Sequence, residues 1–336
     1  MSLYLIEGFD DGLVLDRWNN TTGLVAANID AAYGRHGKGI HLGDTPVNWL
    51  RMSVDSLTEI CVGFAFNVND IGGTVGNLVD LQSSVNYYLY LNDSDNSIGV
   101  NHQNGGSSRQ SDPNVFSLNT WHYLEFHTVC DNTVGSYDIR IDGSTIISAT
   151  GLDTVYGSYY ISHVSIAESV DSVWVDDLYI LDGTSLTPLG DIEVVTLLPT
   201  ADGNSSAMLG SDSNYVDNWA LVDNNAAIPP ATTEYVGSAT EGVKDTYAMG
   251  DLTGTPTVLG VQSTLYAAMT DTGPKSMRPV VRSGTTDYTG TTVPLMNSVY
   301  KPIDEMWETD PDTATAWTYG GVNAVEVGQE LSLIHI

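Results

Sequence analysis

The sequence predicts an all-β protein of two domains, and three observations carry that prediction. Helical periodicity is nearly missing along the 336 residues. Short apolar runs recur instead every ~8–15 residues, split by Gly, Asn, Asp and Ser, as in β-sandwiches. The length suits about two domains, and 42% apolar residues, with seven Trp and eighteen Tyr, supply bulky core filling.

The first long strand runs through Cys61–Val68. Val62, Phe64, Phe66 and Val68 alternate there with Cys61, Gly63, Ala65 and Asn67, which places the large side chains on one buried face. Tyr87–Leu91 and Ser97–His102 flank Asn92-Asp93-Ser94-Asp95-Asn96 and predict a hairpin. Trp121–Val129 is a long strand, followed by Tyr137–Ile141, Asp142-Gly143 and Thr145–Ala149. Asp-Gly between alternating runs signals a tight hairpin, because its turn needs positive φ. Tyr159–Ile166 and Val173–Leu181 complete the first domain.

In the second domain, Leu189–Gly203 opens a strand after a link containing Pro188, and Thr257–Thr270 is a further long strand. Met277–Arg282 and Asp287–Thr289 surround Ser283-Gly284-Thr285-Thr286 as a hairpin. Thr318 is placed as an N-cap and Gly328 as a C′ residue around a short helix over Tyr319–Val327, weakened by Gly320-Gly321.

Eleven basic against forty-two acidic residues leave a net charge of −31, and the only lysines are Lys38, Lys244, Lys275 and Lys301. Such a field repels phosphate backbones and anionic bilayers, so nucleic acid and membranes are not expected partners. Cys61 and Cys130 make no disulfide framework and read as buried thiols, a bridge requiring that their strands be neighbours. The start, MSLYLIEGFDDG, lacks the basic and apolar regions of a secretory signal. No stretch approaches the ~18 apolar residues of a membrane span.

SVWVDDLYILDG (Ser172–Gly183), running into LGDIEVVTLLPTADG (Leu189–Gly203), resembles a junction found in bacteriophage virion proteins. There a concanavalin A-like (LamG-like) jelly roll hands over to a second β-domain. TWHYLEFHTVCDNTVGSYDIRIDG (Thr120–Gly143) is similar to the central hairpin of such jelly rolls, which implies a buried Trp121. Phe9-Asp10-Asp11 and Gly34–Leu42 sit where that family begins, and the resemblance covers residues 4–182. WETDPDTATAW (Trp307–Trp317) and VNAVEVG (Val322–Gly328) resemble the C-terminal domain of the same phage proteins. The expected division is a jelly roll over residues 1–187 and a smaller β-sandwich-like domain over 188–330. LSLIHI (Leu331–Ile336) matches a translated sequencing-library adapter and is read as foreign, leaving the second domain truncated.

Candidate chemistry is sparse. The strand motif E-x-D-x-x-E of one glycosidase group does not occur. Asp176 and Asp177, like Asp10 and Asp11, are adjacent, so on a regular strand they face opposite sides and cannot flank one glycosidic bond. The Asn92–Asn96 loop offers oxygen ligands, yet it lacks the Gly and terminal Glu of an EF-hand and reads as a hairpin turn. The jelly-roll resemblance implies room for a structural Ca²⁺, for which no residue set is identifiable. His122 and His127 fall on opposite faces of their strand and cannot share a metal. GRHGKGIHLG, with His36 and His41, lacks the ending of a phosphate loop. Trp49, Tyr87, Tyr88 and Tyr90 would make a sugar-stacking platform if exposed.

No catalytic or metal residue is assigned, and no cofactor is expected. The resemblance implies a non-enzymatic virion structural protein: a capsid decoration, fibre or tail-associated appendage. It would be made in the host cytoplasm, have other capsid or tail proteins as partners, and form homo-oligomers in the assembled particle. The alternative is a carbohydrate-binding lectin-like module or adhesin contacting surface glycans; a glycoside hydrolase ranks third.

Overall fold

Strand β5 (Glu59–Asp70) shows how this chain builds a core, because every residue from Glu59 to Val68 is buried. In the computed structural model, which describes residues 2–12, 14–19, 23–43, 48–82, 86–102, 108–155, 160–223, 233–270, 275–296 and 298–332, β5 lies between β10 and β14. The protein divides into two units, residues 1–10 with 18–194 and residues 11–17 with 195–336.

The first unit contains β1 (Ser2–Glu7), β2 (Ile29–Asp30), β3 (Gly39–Gly43), β4 (Leu50–Leu57), β5, β6 (Val75–Gln82) and β7 (Asn86–Asn92). There follow β8 (Ser97–His102), β9 (Arg109–Gln110), β10 (Trp121–Val129), β11 (Gly135–Ile141), β12 (Ser144–Leu152), β13 (Ile161–Ile166) and β14 (Ser172–Asp182). They form an eight-stranded sheet, ordered β12-β11-β10-β5-β14-β3-β2 with β1 also on β14, and a six-stranded sheet, β4-β13-β6-β7-β8-β9. This is the expected jelly-roll sandwich. Phe64, Phe66, Val79, Leu81, Leu89, Val100, Phe126 and Val164 are wholly buried, each such side chain contributing roughly 1.5–3 kcal/mol. Asp142 (φ 50°) and Gly143 (φ 75°) make the predicted turn between β11 and β12.

Buried carboxylates explain why the other side of β5 is also covered. Glu59 accepts from the backbone N–H groups of Ser185 (2.8 Å) and Leu186 (2.7 Å). Glu125 accepts from Gly190 N (2.7 Å) and the Tyr179 hydroxyl (2.6 Å), and Asp177 from Val194 N (2.8 Å). The connection after β14 is therefore pinned by side chains and forms no ladder. This corrects the expected strand at Leu189: pairing begins only at β15 (Pro199–Ser206).

A second correction lies in β14. Its pairing with β5 slips between Asp176 and Tyr179, and Asp177 takes φ 51°. The bulge breaks strand alternation, so both carboxylates meet the same turn rather than opposite faces. Asp176 accepts from Arg35 N (2.7 Å) and His36 N (2.9 Å), while Asp177 faces His36 Nδ1 at 3.0 Å. With Lys38 N held by Asp10 (2.7 Å), acidic side chains occupy the N–H groups that a phosphate would need. Trp121, expected in the core, is half-buried, its ring 6.5 Å from Trp174.

Cys61 and Cys130 are free, buried thiols. Burial pushes Cys61 up to about 12 and Cys130 up to about 11. Neither is expected to react with an aromatic disulfide reagent at pH 8 until the chain unfolds; a rapid stoichiometric reaction in native buffer would contradict this burial.

The second unit contains β15, β16 (Leu209–Gly210), β17 (Val236–Gly237), β18 (Lys244–Met249), β19 (Val261–Ala267), β20 (Lys275–Ser283), β21 (Thr286–Thr289), β22 (Val293–Leu295), β23 (Lys301–Trp307) and β24 (Glu326–Ser332). Its main sheet is ordered β15-β18-β24-β20-β21, with β22 also on β20, beside two-stranded ladders β16-β17 and β19-β23. Val281, Trp317, Val322 and Val325 form its core cluster. The segment before Trp18 belongs to this unit as well. It carries a one-turn helix, α1 (Val14–Arg17), whose Arg17 bonds Asp304 on β23 (2.8 Å) and Asp11 (2.8 Å). Tyr266 of β19 donates to Asp16 (2.9 Å).

Thr318 caps a second helix of one turn, α2 (Tyr319–Val322), through Gly321 N at 3.0 Å. The longer helix to Val327 does not form. Gly328 is mid-strand rather than a C′ residue, paired with Thr246 and Val280, where a Cβ would collide with the Asp245 carbonyl. Leu331 and Ser332, the start of the segment read as foreign, pair with Met277 and Ser276; residues 333–336 lie outside the described residues.

Candidate functional site

Alternation along β7 sorts the tyrosines. Tyr87, Leu89 and Leu91 are buried, whereas Tyr88, Tyr90 and Asn92 are half-buried on the other face. Register sets Tyr90 opposite Asn77 on β6 and Gly99 on β8, and Tyr88 opposite Asp80 and Asn101. Together Val75, Asn77, Tyr88, Tyr90, Asn92 and Asn101 line a shallow hollow of about 410 Å³.

The hollow is built by small local choices. At Gly99 a Cβ would run into the Tyr90 ring, so glycine lets that ring lie close across β8. Asn92 accepts from Ser94 N (3.1 Å) and Ser94 Oγ (2.8 Å), which shapes the β7–β8 turn; Asn96 follows at φ 52°. The Asn101 amide oxygen accepts from Ser108 (2.9 Å). Among the described residues, none of the three Asn –NH₂ groups donates a hydrogen bond. The surface thus offers two phenol rings and three amides. Apolar ring faces with a few oriented polar groups suit a ligand that is itself amphipathic.

Two of the four platform residues therefore reach the hollow. Tyr87 does not: it is a core side chain, and its hydroxyl donates to the Thr154 carbonyl. Trp49 stands elsewhere, with the Arg51 guanidinium 5.4 Å from its ring centroid.

A polar row continues the same outer face. Cross-strand register runs Arg51 (β4), Ser165 (β13), Asp80 (β6), Tyr88 (β7), Asn101 (β8). Asp80 and Ser165 are wholly buried. Burial and the neighbouring Glu168 carboxyl push Asp80 up to about 9. His163, two residues from Ser165, is held below its usual range by burial and by Arg51. Asp80 and Glu168 lie far apart in sequence, and only strand pairing brings the two carboxyls together.

The histidines are dispersed: His36 to Asp177, His41 to Ser172 (2.9 Å), His122 to Asp142 (2.8 Å) and His127 to Glu59 (2.9 Å). Among the described residues no group of three or more His, Cys, Asp or Glu is arranged to hold a metal ion. No helix among them is long and apolar enough to cross a membrane.

No family model and no curated protein matches the chain. Solved structures of similar fold include an alginate lyase (13% identity, 55% of this chain, 95% of that chain, TM-score 0.38). An endo-β-1,4-glucuronan lyase from Trichoderma reesei is similar at 11% identity over 54% of this chain and 96% of its own, TM-score 0.38. The globular domain of T. cruzi calreticulin is similar at 17% identity over 54% and 88%, TM-score 0.39. The expectation that the chain is not an enzyme is corrected by the first two: structures similar to this one include polysaccharide lyases.

Proposed function

We propose that the first unit binds saccharides in the hollow of its six-stranded sheet. The observation that carries this reading is the convergence of Tyr88 and Tyr90 with Asn77, Asn92 and Asn101. A pyranose presents C–H groups on its faces and hydroxyls around its rim, so rings stack below while amides bond the edge.

Calorimetric titration with a panel of oligosaccharides tests it. Tyr88→Ala and Tyr90→Ala are each expected to weaken binding at least about tenfold, as losing a central aromatic contact costs about 1.4 kcal/mol or more. Tyr319→Ala, an exposed tyrosine of the second unit, should leave affinity unchanged. Equal affinity of all four proteins would remove the hollow from consideration.

A virion appendage touching surface glycans is the setting we propose for this site. It rests on the sequence resemblance at residues 120–143, 172–203 and 307–328. Mass spectrometry of purified phage particles that carry the gene tests it. Absence of the chain from particles that contain its neighbouring gene products would refute it.

A further inference from the structure

We propose that Arg51, Ser165 and Asp80 form a buried extension of the hollow that recognises adjacent hydroxyl groups of an uncharged sugar. This rests on the saccharide reading above and specifies its ligand. Three side-chain atoms of this row are buried without a hydrogen-bond partner among the described residues: Arg51 Nε, Ser165 Oγ and Asp80 Oδ1. They stand side by side, since Ser165 pairs in register with both Arg51 and Asp80. Leaving one such atom unmet is costly, and three on neighbouring strands is a cluster that native proteins keep for a reason.

The chemistry of the row is ordered. Arg51 Nε–H only donates, the Ser165 hydroxyl donates and accepts, and the Asp80 carboxyl keeps acceptor capacity whether or not it carries a proton. Two neighbouring sugar hydroxyls match that sequence: one accepts from Arg51, the other donates to Asp80, and Ser165 bonds between them. Row and hollow are continuous, because Tyr88 and Asn101 are the next two members of the register and both line the hollow.

Charge selects against an acidic sugar. Arg17, Arg35, Arg140, Arg278 and Arg282 each hold a carboxylate within 3.0 Å. Arg51 instead stacks on Trp49 and has no ion pair among the described residues. Asp80, the next acidic member of the row, is held well above the ordinary carboxylate range by burial and by the Glu168 carboxyl beside it. A ligand carboxylate would add a third acidic group beside Asp80 and Glu168, against the repulsion that already raises Asp80. Arg51, Tyr88 and Glu168, which border the row, are half-buried. Glu168 lies on the bend after β13, outside the ladder.

The test titrates the whole chain with neutral gluco-, manno- and galacto-oligosaccharides and with oligoglucuronate, following affinity and the NMR signal of the Arg51 Nε–H. A neutral oligosaccharide is expected to shift that signal, and Arg51→Gln and Ser165→Ala should each weaken its binding about five- to twentyfold. Oligoglucuronate should bind at least about tenfold more weakly than the best neutral ligand. Ser165→Ala should melt no lower than wild type, because it removes an unmet hydroxyl, so its loss of binding cannot be misfolding. If Tyr90→Ala weakens binding but both row variants bind like wild type, the extension is wrong and the hollow stands. Tighter binding of oligoglucuronate overturns the choice of an uncharged sugar. If nothing in the panel binds, both proposals fail.

Discussion

Glu125→Ala is expected to destabilise the first unit by about 3–5 kcal/mol, the range for breaking a buried charged hydrogen-bond network. Glu125 is 1% exposed and holds the Tyr179 hydroxyl and Gly190 N on one oxygen. Removing it strands both donors. Tyr179 also accepts from Leu189 N at 3.0 Å, so two contacts of the connection after β14 loosen together. Urea unfolding should show the loss, with Glu125→Gln falling between the variant and wild type because an amide oxygen restores one acceptor. Limited thermolysin digestion should then cut between Thr187 and Asp191, a stretch expected to resist cleavage in wild type. A loss under about 1 kcal/mol with unchanged digestion would show that these bonds do not pin the connection.

Acidification from pH 8.5 to pH 5 is expected to stabilise the first unit by several kcal/mol. Burial and the adjacent Asp177 charge push Asp176 up to about 7, from an ordinary 3.8. Between those values the folded chain holds a proton that the unfolded chain has released. Stability from this group is therefore complete below about pH 4 and is lost as pH rises to about 7. At about 1.4 kcal/mol per unit, that is about 4 kcal/mol. Asp80 extends the same trend towards pH 9. Glu59 acts oppositely: its hydrogen bonds from Leu186, His127 and Ser185 outweigh burial and hold it low, so its contribution fades only in stronger acid. Melting curves at fixed high salt, which screens the −31 net charge, should give a Tm that falls from pH 5 to pH 7. Asp176→Asn should flatten that slope. A Tm rising over the same interval would falsify the assignment.

Local alternation made much of the first unit legible. The runs at Cys61–Val68, Tyr87–Leu91, Trp121–Val129 and Val173–Leu181 all lie within strands, and Asp142-Gly143 marks its hairpin. Alternation failed where the ladder itself is irregular. At Asp176-Asp177 a bulge turns both carboxylates to one side, and bulges leave no periodic signature. After Thr187, side-chain carboxylates substitute for a partner strand, so extended residues carry a strand-like sequence without a ladder. Around Val322–Val327 the apolar positions serve first a turn and then a strand, which reads as one helical stripe.

The site was half legible. Tyr88 and Tyr90 stood out as aromatics, but Tyr87 could be told apart from them only once register fixed which face is the core. Asn77 and Asn101 carry no distinguishing signal in sequence. Arg51, Ser165, Asp80 and Glu168 come from three strands and a bend, and become neighbours only through antiparallel pairing.

The place of Asp11–Arg17 in the second unit has a consequence in time. Arg17 must wait for Asp304, 287 residues later. At about 5–20 residues per second, translation takes roughly 15–60 s to deliver that partner. Through this interval the helix-forming segment follows β1 in a sandwich that is already being made, before the β23 carboxylate that Arg17 will meet has been synthesised. The second unit cannot be excised from the gene as one continuous piece. A shortened chain beginning near residue 195 would hold the late strands without their earliest-made residues, and adding a peptide of residues 11–17 in trans should restore part of the lost stability.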